Sequence, residues 1–333
     1  MPTQEFPDLK RLTAGLSAVF HRRGPAHVNV RVLDRKPNLE GSTFPTEIVT
    51  CFLDEKGSTL RLFVKYGTKD FNSVHGHRGN ISHEAKVYRQ ILQPLGISTP
   101  IFYGVYRDKT TQAQWLMIEF LEGSRGHWSR NPEAMILSAR WIGKFHALNE
   151  ERIPSPGLNF LRTYDREYYM GWARRASRLL SNSQIRLPRL TTLCDRFEML
   201  LPNLLERATR TVIHGEYYSP NVLYQDGICS PVDWQSAAVA PGEIDLASLT
   251  QSRPSQMVQK CEREYCKSRW PGGAPDDLEQ ILETARVYIN LRWLGDPGLM
   301  SRLFNPRGEF IPSGKFKKMT EGLYSAGKRT GLI

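Results

Sequence analysis

Residues 211–234 read TVIHGEYYSPNVLYQDGICSPVDW, and they hold an unusual density of oxygen-bearing side chains. The run NVLYQDGICSPVDW predicts a short hairpin with Asn221 at one end and Asp233 at the other. A hairpin brings its ends together, so an amide oxygen and a carboxylate are expected to point into one cleft. Hard oxygens of that kind suit Mg²⁺, which keeps waters and completes its shell with phosphates. Glu216 lies on the loop just before Asn221. An acid there can accept a proton from, or orient, a hydroxyl attacking a phosphate. Phosphoryl transfer asks the protein for little beyond positioning and charge neutralisation. A second pair lies far upstream, where Lys65 ends a strand-like run and Glu84 opens a helix-like one. A strand lysine held by a helix glutamate can present its ammonium to the α- and β-phosphates of a nucleotide.

His214 and Glu216 also spell the HxE of zinc deaminases, but the PCxxC that such a site needs downstream is missing. Lys65 and Glu84 taken singly read as a surface lysine and a solvated helix residue. Together with the downstream cluster they read as a site.

The elements that must position these residues follow from periodicity. Leu9, Leu12, Leu16 and Val19 recur at helical spacing, and residues 27–33 (HVNVRVL) alternate as a strand. Residues 47–53 and 60–66 form a hairpin around Asp54–Gly57. A helix starts near Ser82, read as its N-cap, and two more strands cover 100–106 and 114–121. Past residue 122 the chain turns helical. Asn131 caps a helix with Pro132 at its first position, and further helices cover 164–180, 190–205 and the LEQILETARVYINLRWL run. Strands first and helices second predict an α+β chain in two lobes, residues 1–122 and 123–333.

The ordered set FVK, HEAKVYR, WLMIEFL, HGE-x4-N and VDW resembles the aminoglycoside phosphotransferase and choline kinase superfamily, small-molecule kinases with a protein-kinase-like fold. The resemblance spans about residues 28–300. It implies an ATP- and Mg²⁺-dependent enzyme that moves the γ-phosphate to a hydroxyl. By it, Lys65 contacts the ATP phosphates and Glu84 holds Lys65. The backbone of Glu119, Phe120 and Leu121 forms the adenine hinge, and Gly41 and Ser42, with Thr43, cover the phosphates. Glu216 takes the catalytic-base position, with His214 bracing the loop, and Asn221 and Asp233 take the metal positions. Asp245 matches a later aspartate that anchors the catalytic loop. Two departures stand out: the base position holds glutamate where the family has aspartate, and the loop around Gly41 lacks GxGxxG. They motivate an alternative, a kinase-fold binding protein with impaired catalysis.

Composition bounds the acceptor. Lys plus Arg number 45 against 34 Asp plus Glu, a net charge of +11. That favours anionic partners and disfavours a polycation, so a neutral or acidic metabolite, sugar or natural product is expected, with an acidic peptide phosphorylated on Ser or Thr as a further option. No arginine-rich tail or nucleic-acid motif is present, which argues against nucleic acid. The REYYMGWARRASR stretch (166–178) reads as a solvated basic face, or, by the resemblance, as part of the acceptor site. His146 reads as a packing or hydrogen-bonding residue. Five widely spaced cysteines without a CxxC pair, no signal-like start and no apolar run long enough for a bilayer together suggest the cytoplasm.

Overall fold

A computed structural model of the chain describes residues 6–22, 28–38, 44–68, 74–122, 124–125 and 131–333. The chain resolves into two units. The first comprises Met1–Ser73, Arg78–Ser124 and Ser230–Gln235; the second comprises Val74–His77, Arg125–Cys229 and Ser236–Ile333.

In the first unit, α1 (Leu9–His21) is followed by β1 (Val30–Pro37), β2 (Thr46–Leu53) and β3 (Ser58–Tyr66). Then come α2 (Ile81–Val87), β4 (Phe102–Arg107) and β5 (Gln114–Glu119). The strands form one antiparallel sheet in the order β1-β2-β3-β5-β4. Alternation along the central strands sends Val49, Cys51, Leu62, Val64, Trp115 and Met117 to one face, where Leu12, Leu16 and Val19 of α1 bury them. The opposite face carries Lys65, in register with Thr46 and Leu116. The helix bearing Glu84 starts earlier than its sequence suggests. Asn80, not Ser82, is the N-cap, its side chain accepting the His83 N–H at 3.1 Å. An amide oxygen one residue before the apolar Ile81 outcompetes the later hydroxyl.

The second unit is mainly helical. Its elements are α3 (Pro132–Glu150), β6 (Arg162–Thr163), α4 (Arg166–Leu180), α5 (Pro188–Arg196), β7 (Arg210–Ile213), β8 (Val222–Gln225), β9 (Ile228–Pro231, its last two residues counted with the first unit) and β10 (Ala238–Pro241). They continue with α6 (Glu243–Thr250), α7 (Ser255–Arg269), α8 (Leu278–Leu294), α9 (Pro297–Leu303) and α10 (Gly314–Arg329). Asn131 caps α3 with Pro132 at its first position, as read from sequence. Residues 190–205 do not form one helix: α5 stops at Arg196, and a 3-10 turn and a π turn carry the chain around Pro202. Proline has no N–H to continue the ladder. In α8 the buried residues run almost all round the helix, from Ile281 to Leu294. Such a helix belongs to an interior.

One small sheet positions the loop that carries Glu216. β10 lies between β6 and β7, with Ala238 opposite Ile213 and Val239 opposite Val212. An antiparallel register of that kind runs the segment just after Ile213 alongside the segment just before Ala238. His214–Glu216 and Ser236 are therefore neighbours by topology.

Candidate active site

In the first unit the Lys65 ammonium is buried among carboxylates. Its Nζ donates to Glu84 Oε2 at 2.8 Å, to Glu84 Oε1 at 3.1 Å and to Asp233 Oδ1 at 2.8 Å. Lys65 and Glu84 are almost wholly inaccessible, whereas the Asp233 side chain is 31% exposed. Burial alone would pull the lysine down, but Asp233 and Glu84 more than reverse this and keep it an ammonium. Asp233 is held in the left-handed region at φ 67°, a conformation that costs a non-glycine residue energy. Gln235 Nε2 donates to the same Oδ1 at 2.8 Å, which leaves Oδ2 as the oxygen turned elsewhere. At the end of β5, the Glu119 N–H bonds the Ile101 carbonyl and the Phe120 N–H bonds the Arg61 carbonyl. Leu121, the last residue of the expected hinge, lies two residues past the end of β5. Gly41 and Ser42, with Thr43, lie outside the described residues.

In the second unit Glu216 is 1% exposed and each carboxylate oxygen has a partner. Ser236 Oγ donates to Oε2 at 3.0 Å, and Arg292 Nη1 approaches Oε1 at 3.3 Å. The same Nη1 lies 2.8 Å from His77 Nε2, while His77 Nδ1 is 2.8 Å from the Tyr168 hydroxyl. A guanidinium can only donate, so His77 Nε2 accepts and its proton sits on Nδ1, facing Tyr168. His77 Nε2 is also 3.6 Å from Glu216 Oε1. With its lone pair given to Arg292, that nitrogen is not a donor to the acid. Asn221 Nδ2 donates to the Glu216 carbonyl at 3.0 Å, so its Oδ1 is the oxygen free to act as a ligand.

The loop itself is clamped from beneath. Asp245, in the first turn of α6, accepts the backbone N–H of His214 at 2.6 Å and of Gly215 at 2.9 Å. His214 Nδ1 accepts the Glu216 N–H at 3.3 Å. Gly215 has φ 81°, and a Cβ there would lie 2.2 Å from the Ser236 carbonyl oxygen. No other residue type allows so close an approach.

A family model described as the phosphotransferase enzyme family matches residues 55–275. The chain belongs to that family. Solved structures share its fold at low identity. A macrolide 2'-phosphotransferase from Brachybacterium faecium is 18% identical at TM-score 0.56, covering 93% of this chain and 97% of its own. A choline kinase from Streptococcus pneumoniae is 13% identical at TM-score 0.62, with coverages of 95% and 98%. A spectinomycin phosphotransferase, solved with ADP and spectinomycin, is 13% identical at TM-score 0.62, with coverages of 99% and 100%. No curated protein sequence matches the chain.

Within this phosphotransferase, the part-exposed Asp233 carboxylate of the first unit and the Asn221 amide oxygen of the second are each a hard oxygen of the kind that suits Mg²⁺. Among the described residues no cluster of three or more His, Cys, Asp or Glu could hold a metal by itself. His146 is fully buried, with Nε2 3.2 Å from Asp245 Oδ2 and Nδ1 3.0 Å from the Tyr265 hydroxyl. It holds the residue that holds the loop. Tyr217 lies beneath the loop, donating to the Ser138 carbonyl at 2.9 Å, and Tyr218 turns its ring to Trp293. In α4, Tyr168, Trp172, Ala176 and Leu179 are buried, while Arg174 and Arg166 pair with Glu167 and Glu198. Those two arginines are a neutralised surface, which favours the plainer reading of that stretch. All five cysteines are free thiols, four of them buried. Among the described residues no helix is long and apolar enough to cross a membrane.

Sequence reasoning missed Ser236, His77 and Arg292. Ser236 had a signal, since it sits three residues past Asp233. The other two had none: His77 is in a polar loop and Arg292 inside an apolar helix run, each remote in sequence from Glu216.

Proposed function

We propose that this phosphotransferase uses ATP and a divalent metal ion to transfer the γ-phosphoryl group to a hydroxyl of a small molecule. The observation that carries the reading is the Lys65 ammonium held by Glu84 and Asp233, a preformed cationic donor for nucleotide phosphates. Leu121 offers its backbone to the base. Asp233 and Asn221 each carry a hard oxygen of the kind a divalent metal takes, and such an ion when bound would neutralise charge on the phosphates. Glu216 accepts the acceptor's proton as the acceptor oxygen bonds to the γ-phosphorus; the bond from that phosphorus to the bridging oxygen breaks, and ADP leaves. Ser236 and Arg292 hold the Glu216 carboxylate while it does so, and Asp245 with His214 holds the loop.

Purified protein with ATP and Mg²⁺, screened against a library of hydroxyl compounds, tests the proposal. ADP–Mg should raise the unfolding midpoint, and at least one acceptor should gain phosphate. If neither happens, the reading fails. A second reading, a binding scaffold with lost catalysis, draws support from the Arg292 contact, because both Glu216 oxygens are already engaged, by Arg292 and Ser236. Glu216→Ala separates the two: an enzyme loses turnover by orders of magnitude, whereas a scaffold keeps its ligand affinity.

A further inference from the structure

The C-terminal end of α8 concentrates buried donors with no acceptor among the described residues. Arg292 is 1% exposed, yet among the described residues its Nε and Nη2 find no hydrogen-bond partner, while Nη1 is engaged by Glu216 and His77. The adjacent Trp293 also keeps its indole Nε1 buried without a partner. A buried donor left unmade costs about 1–3 kcal/mol, and more when it is charged. Three on two consecutive residues are not a packing accident to be expected of a native interior.

Charge points the same way. Lys315, at the start of α10, places its Nζ 3.6 Å from the centroid of the Trp293 ring, and the Arg292 guanidinium lies 4.7 Å from the same centroid. Two cations thus share one indole. Among the described residues Lys315 makes no ion pair, and burial together with the like charges of Arg292 and Arg302 pulls its ammonium below the ordinary lysine value. The carboxylates that act on it are already committed. Asp296 caps α9 through the Gly298 N–H at 2.7 Å, and Glu216 is held by Ser236 and Arg292. Among the described residues the cluster has more donors and positive charge than acceptors, beside the residue proposed as the base.

We propose that Arg292, Trp293 and Lys315 form a receptor for an oxyanion, a carboxylate or phosphate, carried by the acceptor molecule. The substrate is then a hydroxyl compound with an acidic group near the hydroxyl that is phosphorylated. This deepens the phosphotransferase reading and rests on it for the word acceptor. It also gives the +11 net charge a local counterpart. An amino-substituted polycation would bring more positive charge to a cluster that already repels itself.

The test titrates inorganic phosphate, and in a separate arm malonate, into the full chain saturated with ADP and Mg²⁺, with ionic strength held constant by chloride. The unfolding midpoint is the readout. In the wild-type protein it should rise with phosphate, malonate or both. Lys315→Ala changes a residue on the surface of α10, with only its ammonium end tucked against Trp293, and should fold normally; it should weaken the anion by at least about tenfold, the worth of one charge-assisted contact. Arg292→Lys, which keeps the charge and loses the fork, should weaken it as well. No rise in the wild-type protein, or the same affinity in Lys315→Ala, overturns the proposal. A third arm compares AMP-PNP with ADP. If Lys315→Ala erases a preference for AMP-PNP and spares the free anions, the oxyanion is the nucleotide's own γ-phosphate and the acceptor assignment falls. The ADP shift itself reports separately: if ADP–Mg does not bind, the phosphotransferase reading fails, while the anion titration without nucleotide still reads the receptor.

Discussion

The Glu216 carboxylate lies 3.3 Å from the Arg292 guanidinium, with both side chains withdrawn from solvent. This contact gives the glutamate a reason to be a glutamate. Its extra methylene carries one oxygen to Arg292 while the other stays on Ser236. Aspartate from the same backbone would stop short of one partner or both. Glu216→Asp is therefore expected to lower kcat by about ten- to hundredfold, the scale of a 1 Å misplacement, with the KM for ATP little changed. Steady-state kinetics on the identified acceptor decides it. A rise in turnover would mean that the Arg292 contact is not what places the base.

Gly215→Ala attacks the same loop through its backbone. The new Cβ meets the Ser236 carbonyl oxygen and the residue must keep φ 81°. Either the loop or the turn just before β10 has to move, and Ser236 moves with it. Turnover should fall by about a hundredfold or more, while ADP–Mg affinity, measured by calorimetry, stays close to that of the wild-type protein.

The Lys65–Glu84 pair separates stability from binding. Lys65→Met leaves the fully buried Glu84 beside Asp233 without its cation and should cost about 3–5 kcal/mol in denaturant unfolding. The double variant Lys65→Met with Glu84→Met removes both charges and should recover much of that loss. Neither variant should recover nucleotide affinity. If the double variant binds ADP–Mg as the wild-type protein does, Lys65 is a structural cation only.

Acid should weaken the first unit at a definite place. Burial would raise the Asp108 carboxyl, but hydrogen bonds from Arg11 and Thr111 outweigh it and bring the group from an ordinary 3.8 to about 2. A depressed carboxyl contributes stability above its unfolded value and loses it as pH falls through the folded one. Chemical denaturation between pH 4 and 2 should show this loss, and Asp108→Asn should remove that part of the pH dependence. An unchanged profile in the variant would rule the pair out as its source.

Much of this architecture was legible because it is written in local patterns. The strands of the first unit alternate over whole elements, and α3 announces itself with Asn131 and Pro132. The helix α7 carries no such pattern, since its buried stripe of Cys261, Tyr265 and Arg269 includes a charged residue that finds Glu150 and Glu243 only in three dimensions. The site divides in the same way. Glu216, Asn221 and Asp233 share one short stretch, so spacing could carry them. The contacts of Glu216 with Arg292 and His77 come from distant segments, and nothing in a linear pattern records a partner that only folding supplies.

The four residues Val74–His77 belong to the second unit, although the chain on either side of them belongs to the first. His77 reaches Arg292 from that insertion. The second unit is therefore not a cassette that a single cut can excise: a fragment starting after residue 125 would carry Glu216 and Arg292 but leave behind the histidine that completes their setting. Swapping halves between relatives, in the laboratory or by gene recombination, would have to transplant this short tongue of chain together with the lobe it serves.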